Sequence, residues 1–390
     1  MSESTPAAVI CGIGACLPPR VVSNEEVVRR GVLETTDAWI RTRTGVAERR
    51  RAAAGVSTGD LAAAAGRAAL ASAGTEHADL LLLATTTPDR RCPATAPEVA
   101  YRLGLGHVPA FDLAAVCSGF LYGLATADAL LRAGVCSRPL VIGAETYSTI
   151  VDPLDRDTAA VFGDGAGATL LRPGRSGEPG AVRAAHLGSD GSGGDLISIA
   201  AGGSRRPDTT PRLCREVRYF RMRGREVYRH AVRRMTESSA TVLGHAGWSS
   251  DSVRAFIGHQ ANQRILDAVA QRLAIAPQHC FGNIRDVGNT AAASIPLALA
   301  GTAARGAVRP GARTLLTAFG GGLTWASVAA NWPGAAPHHR PPEPREASAD
   351  TDRRTADSTS RTTDRSAPRH STRNRKAPPW NPSATTWPAS

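Results

Sequence analysis

"FDLAAVCSGFLYGLATADALLRAG" occupies residues 111–134 and sets Cys117 between an apolar run and a stretch of helical period. Phe120, Leu124, Ala127 and Leu131 fall on one helix face, and Gly134 suits a helix stop. A thiol where a strand turns into a helix has two readings. It is a small buried filler, or it is a nucleophile, since thiolate is the reactive form and the oriented N–H groups of a helix start favour negative charge. The stretch alone does not choose.

Its surroundings repeat. "ADLLLLATTT" (78–87) reads as a buried strand, "RPLVIGAE" (138–145) as another and "AVFGDGAGATLL" (160–171) as a glycine-bent one. The second half answers in order. "VRAFIGHQAN" (253–262) reads as a strand leading into the helix "QRILDAVAQRLAI". "VGNTAAASIPLALAGTAARG" (287–306) is a glycine turn and a small-residue helix, and "RTLLTAFGGGLTWASVAANW" (313–332) a strand, turn and strand. Alternating strands and helices predict an α/β fold with mainly parallel sheets. Two copies predict a five-layer α-β-α-β-α sandwich with two central helices back to back, their N-termini at one cleft. The halves are expected over 1–174, with Cys117, and 175–333, with His259 and Asn289.

Composition bounds the rest. The 390 residues are 42% hydrophobic, enough for a large core. No run reaches the roughly 20 uncharged apolar residues that cross a bilayer. The N-terminus lacks a basic region before its short apolar stretch, which reads as a first strand, so a cytoplasmic protein is expected. Seven cysteines show no CxxC spacing, which suggests neither a disulfide framework nor a metal site. The net charge is +12, but Lys376 is the single lysine, a bias that looks like GC-rich coding, so nucleic acid is not expected as a partner. From about Gly334 the chain turns rich in Pro, Ser, Thr, Arg and Asp with few aliphatics, so 334–390 is expected to be a disordered tail.

His259 ends a buried strand, at the carboxyl edge where open α/β sheets bind ligands. Asn289 sits at a helix start, where it is equally well read as a cap. One catalytic reading explains Cys117, His259 and Asn289 together.

Seven motifs, "SNEEVVRRG", "TTDAWIRTRTGV", "VCSGFLYGL", "FGDGAGA", "IGHQANQRI", "GNTAAASIP" and "FGGGLTW", stand in an order that resembles the β-ketoacyl-acyl carrier protein synthase III family of the thiolase superfamily, over nearly all of residues 8–332. The resemblance implies the thiolase fold, a homodimer and a triad of Cys117, His259 and Asn289. It implies that an acyl-CoA acylates Cys117, and that malonyl-acyl carrier protein then loses carbon dioxide under hydrogen bonds from His259 and Asn289. The resulting enolate attacks the thioester, whose oxyanion is held by the backbone of Cys117 and Gly321. This chemistry calls for neither a metal nor a cofactor. Trp39 and Arg156 resemble residues that stack on the two faces of the CoA adenine; Thr35, Thr44 and Asn262 resemble polar residues near the nucleotide and pantetheine arm.

The stretch 212–235 holds nine arginines and two glutamates, with Tyr228, Val232 and Met235 at helical spacing. It reads as a charged helix with one packed face. Given the family, Arg225, Arg229 and Arg264 are expected to dock an acidic acyl carrier protein, with no membrane involved.

The chain also departs from the family. Arg91-Cys92-Pro93 stands where a bulky residue often precedes the proline, which predicts room for a longer or branched acyl group. Val287 and Ala326 replace a frequent tyrosine and glycine. An acyltransferase of the same fold that does not decarboxylate stays open as an alternative. A thiolase proper is disfavoured because "FGGGLTW" lacks a second cysteine, and a chain-elongating synthase because Asn289 stands where a second histidine is needed. A non-catalytic scaffold with a nucleic-acid-binding tail is disfavoured by the complete triad.

Overall fold

The computed structural model describes residues 5–209 and 214–342. Two sheets carry the fold. The first runs, edge to edge, His338–His339, Pro6–Cys16, Gly165–Arg175, Pro139–Glu145, Leu80–Ala84 and Ala110–Leu113. The second runs Ala255–Gly258, Arg313–Gly320, Thr324–Asn331 and Val182–Ser189. Apart from the edge strand His338–His339, the first sheet is drawn from residues 6–175 and the second from residues 182–331, and both belong to one compact unit.

The expected layers form. Helix Thr58–Ser72 covers the outer face of the first sheet, and Gly224–Ala246 with Gln263–Arg272 covers the outer face of the second. Helices Gly119–Arg132 and Ser294–Ala304 lie between the sheets. The Phe120, Leu124, Ala127, Leu131 stripe is buried in the central core, as its spacing requires.

Three expectations are corrected. The sheets are mixed rather than mainly parallel: Leu80–Ala84 pairs parallel with both neighbours, whereas Gly165–Arg175 and Thr324–Asn331 each pair antiparallel on both sides. The short glycine turn after Gly320 dictates this in the second sheet, since a tight connection returns the chain antiparallel. The arginine-rich helix begins at Gly224; residues 214–223 hold only a short 3₁₀ turn, Arg215–Arg218, and a two-residue strand, Arg221–Met222. The tail does not leave the body at 334. His338–His339 pairs parallel with the outer edge of Pro6–Cys16, Arg340 N–H donates to Ala15 O at 3.0 Å, and Ser72 Oγ donates to Ala336 O at 2.6 Å. Pairing an open strand edge needs backbone groups, not aliphatic side chains, so composition did not show it. Residues 343–390 of the expected disordered tail lie outside the described residues.

The duplication is visible in the backbone of the central helices. Each is preceded by a 3₁₀ turn, Val116–Ser118 or Ala291–Ala293, whose first residue has a positive φ, 48° at Val116 and 43° at Ala291. The structural counterpart of Cys117 is therefore Ala292, and Asn289 lies three residues before it. The two leading turns pack against each other.

That contact requires Gly143 beneath it, where a Cβ would lie 2.3 Å from the Ala292 carbonyl oxygen. Gly143→Ala is expected to cost about 1–3 kcal/mol and lower the melting temperature. An unchanged melting curve would show that the two turns are not locked together.

Candidate active site

The positive φ of Val116 turns the chain so that Cys117 sits at the lip of its helix. Ser118 holds the turn from behind: its hydroxyl donates to Ala115 O at 2.8 Å and lies 2.7 Å from Thr324 Oγ1. The glycine turn after Arg313–Gly320 closes on the same spot, since a Cβ on Gly320 would be 2.8 Å from Cys117 N. Gly321, the next residue, packs against Ile197. The Cys117 N–H has no protein acceptor among the described residues.

His259 follows the strand Ala255–Gly258, its N–H bonded to Thr317 O at 2.8 Å, and is 2% exposed. Asn289 is fixed by its backbone, which bonds Val161 O and Gly163 N–H at 2.9 Å each. Its Oδ1 accepts from Ala291 N–H at 2.9 Å, a local turn two residues on that orients the carboxamide and leaves Nδ2 as the donor to spare; the 3₁₀ turn and the helix begin at Thr290 and Ala293 without a side-chain cap, so the reading of Asn289 as the helix N-cap is corrected. Cys117, His259 and Asn289 converge on one cavity of about 40 Å³, walled by Phe162, Phe220, Met222, Met235 and Phe319.

Burial governs the charges here. It lowers the His259 pKa to about 3, so the imidazole is neutral at ordinary pH. It also pushes the Cys117 thiol well up, and the Glu145 carboxylate adds to that rise. The expected depression of the thiol by its helix start is thus corrected. Desolvation by the apolar wall outweighs the turn's N–H groups.

Glu145 was not singled out from sequence, although an acid ending the apolar run "RPLVIGAE" is a visible signal. It is fully buried, with its pKa raised to about 7 by desolvation. Its carboxylate accepts from Thr86 N–H at 3.1 Å, Thr87 Oγ1 at 2.8 Å and, more weakly, Ala292 N–H at 3.4 Å. It thereby ties the loop after Leu80–Ala84 to the counterpart of Cys117.

The other expected residues divide. Trp39 lies on the helix Asp37–Thr44 and is 36% exposed, with the Arg156 guanidinium 4.8 Å and that of Arg43 5.9 Å from its ring centroid. Arg156 thus rests on Trp39 instead of standing a base's thickness away, so a stacking base must displace it. Thr35 Oγ1 is buried without a partner. Thr44 is occupied: its hydroxyl donates to Ile40 O at 2.6 Å and accepts from Val46 N–H at 3.1 Å. Asn262 is occupied too, capping Arg264 N–H at 2.9 Å and donating to Arg43 O at 2.9 Å. Thr44 and Asn262 thus both hold the helix that carries Trp39. Arg225, Arg229 and Arg264 are exposed and have no carboxylate partner among the described residues, and Arg264 lies 5.8 Å from the Tyr228 ring.

These charges predict a reactivity order. With iodoacetamide at pH 8 the exposed Cys92 and Cys214 should react before Cys117. Glu145→Gln should speed alkylation of Cys117 several-fold at pH 8–9, where the carboxylate is charged, and not at pH 6, where it is protonated. Peptide mass spectrometry reads the rates; a Cys117 that reacts first in the resting protein contradicts the assignment.

Comparison with known proteins agrees with this geometry. Residues 111–191 match the family model for 3-oxoacyl-[acyl-carrier-protein (ACP)] synthase III, and residues 243–332 match its C-terminal counterpart. The chain is 58% identical over 330 residues to β-ketoacyl-[acyl-carrier-protein] synthase III 2 of Streptomyces coelicolor, covering 85% of this chain and 95% of that one. It is 48% identical to the synthase III of Pseudomonas aeruginosa over 338 residues, covering 85% and 98%. The crystal structure of the synthase from P. aeruginosa PAO1 superposes with a TM-score of 0.78, covering 85% of this chain and all of that one. The priming β-ketosynthase of the R1128 polyketide pathway, 32% identical, also gives 0.78, with 85% and 98% covered. The chain belongs to the β-ketoacyl-[acyl-carrier-protein] synthase III family of thiolase-fold condensing enzymes.

Proposed function

We propose that this protein condenses an acyl-CoA starter with malonyl-acyl carrier protein, opening a fatty-acid or polyketide chain, through Cys117, His259 and Asn289. The observation that carries the assignment is the convergence of those three side chains on one cavity where two central helices begin.

The steps follow from the groups present. Cys117 sulfur attacks the acyl-CoA carbonyl, forming the Cys117 thioester while its proton passes to the departing CoA sulfur. Malonyl-acyl carrier protein replaces CoA, and its carboxylate leaves as carbon dioxide. Asn289 Nδ2 and a neutral His259 donate to the thioester oxygen as enolate charge grows there. The enolate carbon attacks the acyl-Cys117 carbonyl, whose oxyanion takes the Cys117 N–H and the backbone of the Gly320–Gly321 turn. Collapse frees the Cys117 thiolate, which regains a proton from solvent. No step calls on a metal or cofactor.

Binding is assigned to the same face. Trp39 and Arg156 take the nucleotide of CoA, with Thr35 nearby. Arg225, Arg229 and Arg264 take an acidic carrier protein, their charge unneutralised within the described chain. The homodimer is supported by the strand Ala110–Leu113, which ends the first sheet with an open edge and a Phe111 that is 39% exposed. A cytoplasmic location is supported by seven free thiols. The exposed Cys92 in place of a bulky side chain favours longer or branched acyl groups.

Cys117→Ala should abolish acyl labelling from acyl-CoA. Asn289→Ala should keep labelling yet slow release of carbon dioxide from malonyl-acyl carrier protein by about 10²–10³; undiminished condensation in that variant refutes the roles. Arg264→Glu should raise KM for the carrier protein with little change in acylation by acyl-CoA, and an unaltered KM removes the docking surface.

A further inference from the structure

Among the described residues the largest fully buried side chain is a cation, Arg49, on the short strand Glu48–Arg51. Burial and the neighbouring Arg51 push its pKa down to about 10, which leaves it charged at neutral pH. Its bonds go to neutral oxygens. Nη1 donates to Val22 O at 3.1 Å, and Nη2 donates to Asn24 Oδ1 at 2.6 Å and to Ala160 O. Burying a charge is costly unless its hydrogen bonds are made, and a methionine would fill similar space without that cost. Space-filling therefore does not account for a guanidinium here. What it adds is a tie between segments far apart in the chain.

One side of the tie is braced. Asn24, itself fully buried, donates from Nδ2 to Asp37 Oδ1 at 2.7 Å and to Val46 O at 2.9 Å, so it is fastened at the start and just past the end of helix Asp37–Thr44. The other side reaches the Asn289 loop. Ala160 precedes Val161, whose carbonyl takes the Asn289 N–H, and Gly163 N–H donates to Asn289 O, both at 2.9 Å. The Arg49 stem lies against the same loop: a Cβ on Gly163 would be 3.1 Å, and one on Gly288 3.2 Å, from Arg49 Cβ. Gly288, with φ 68°, comes just before Asn289. Apart from the Oδ1 bond to Ala291 N–H, no other hydrogen bond of the Asn289 side chain occurs among the described residues. The aim of its Nδ2 thus depends on where segment 160–163 stands.

We propose that Arg49 is a positioning residue for decarboxylation: its guanidinium fixes residues 160–163, and through them the Asn289 carboxamide, at the place where enolate charge develops. The inference rests on the Cys117, His259 and Asn289 reading above and adds to that site a residue outside its cavity. Arg49 does not line the cavity and acts only through Asn289. A small displacement is enough, since a shift of about 1 Å in a reacting arrangement costs about 10²-fold in rate.

The test separates the two half-reactions in the full chain. Acylation of Cys117 at saturating butyryl-CoA and carbon dioxide release from labelled malonyl-acyl carrier protein are measured, each per Cys117 that accepts an acyl group. Arg49→Met, which keeps the stem and drops the head, should hold acylation within about twofold and slow carbon dioxide release about tenfold or more. Arg49→Lys, with a single donor head in place of a fork, should fall between. In an Asn289→Ala background Arg49→Met should slow release no further, because its effect passes through that carboxamide. Equal losses in both half-reactions, as a merely structural role would give, overturn the proposal. So does undiminished release, or a loss that adds in full to that of Asn289→Ala. If Arg49→Met does not label at Cys117, Arg49→Lys carries the same comparison, and failure of both to label overturns the proposal. Wild-type release that is indifferent to Arg49 removes this inference alone; no release from the wild-type chain overturns the condensing reading with it.

Discussion

Two buried helices start at one point because backbone meets backbone there with no side chain between. A Cβ on Gly143 would strike the Ala292 carbonyl oxygen at 2.3 Å, and one on Gly320 would lie 2.8 Å from the Cys117 nitrogen. Close packing of this kind leaves little room for relaxation. It fixes the distance between the thiol's turn, the Asn289 loop and the glycine turn, which is the distance a reacting thioester has to span. The cap at Asn262 holds the Trp39 helix against this centre through Arg43 O.

The same packing excludes water, and dehydration dictates how the site is charged. His259 is driven neutral, Glu145 is held near half-ionised around pH 7, and the Cys117 thiol is held protonated. With His259 neutral and the Cys117 thiol protonated, the site carries little fixed charge at these atoms. Negative charge then develops on the substrate's oxygens, where donors already point, and in a low dielectric each such donor acts strongly. A neutral imidazole suits this, for it gives a hydrogen bond without requiring a buried cation.

Sequence patterns disclosed the parts of this architecture that depend on periodicity and on local motifs. The Phe120–Leu131 stripe, the Leu80–Ala84 and Pro139–Glu145 strands and the Cys117, His259, Asn289 set were legible because apolar spacing and motif order are written in the chain itself. Pairing direction was not, since parallel and antiparallel strands share the same two-residue alternation. The bonds that Thr44 and Asn262 make within the chain were not legible either, since they depend on which backbone groups folding brings beside them.

The duplication itself says what the start of a central helix is suited to hold. Cys117 and Ala292 occupy equivalent places after residues of positive φ. In the second copy the N–H at that place points to a carboxylate oxygen, Glu145 Oε1, at 3.4 Å. In the first copy the equivalent N–H has no protein acceptor, and a thiol stands on the same residue. The folded chain therefore displays one such N–H facing a carboxyl oxygen and a second with no protein acceptor among the described residues. The oxyanion proposed on the Cys117 thioester would meet a donor of the same kind as the one the other half of the molecule sets beside a carboxyl oxygen.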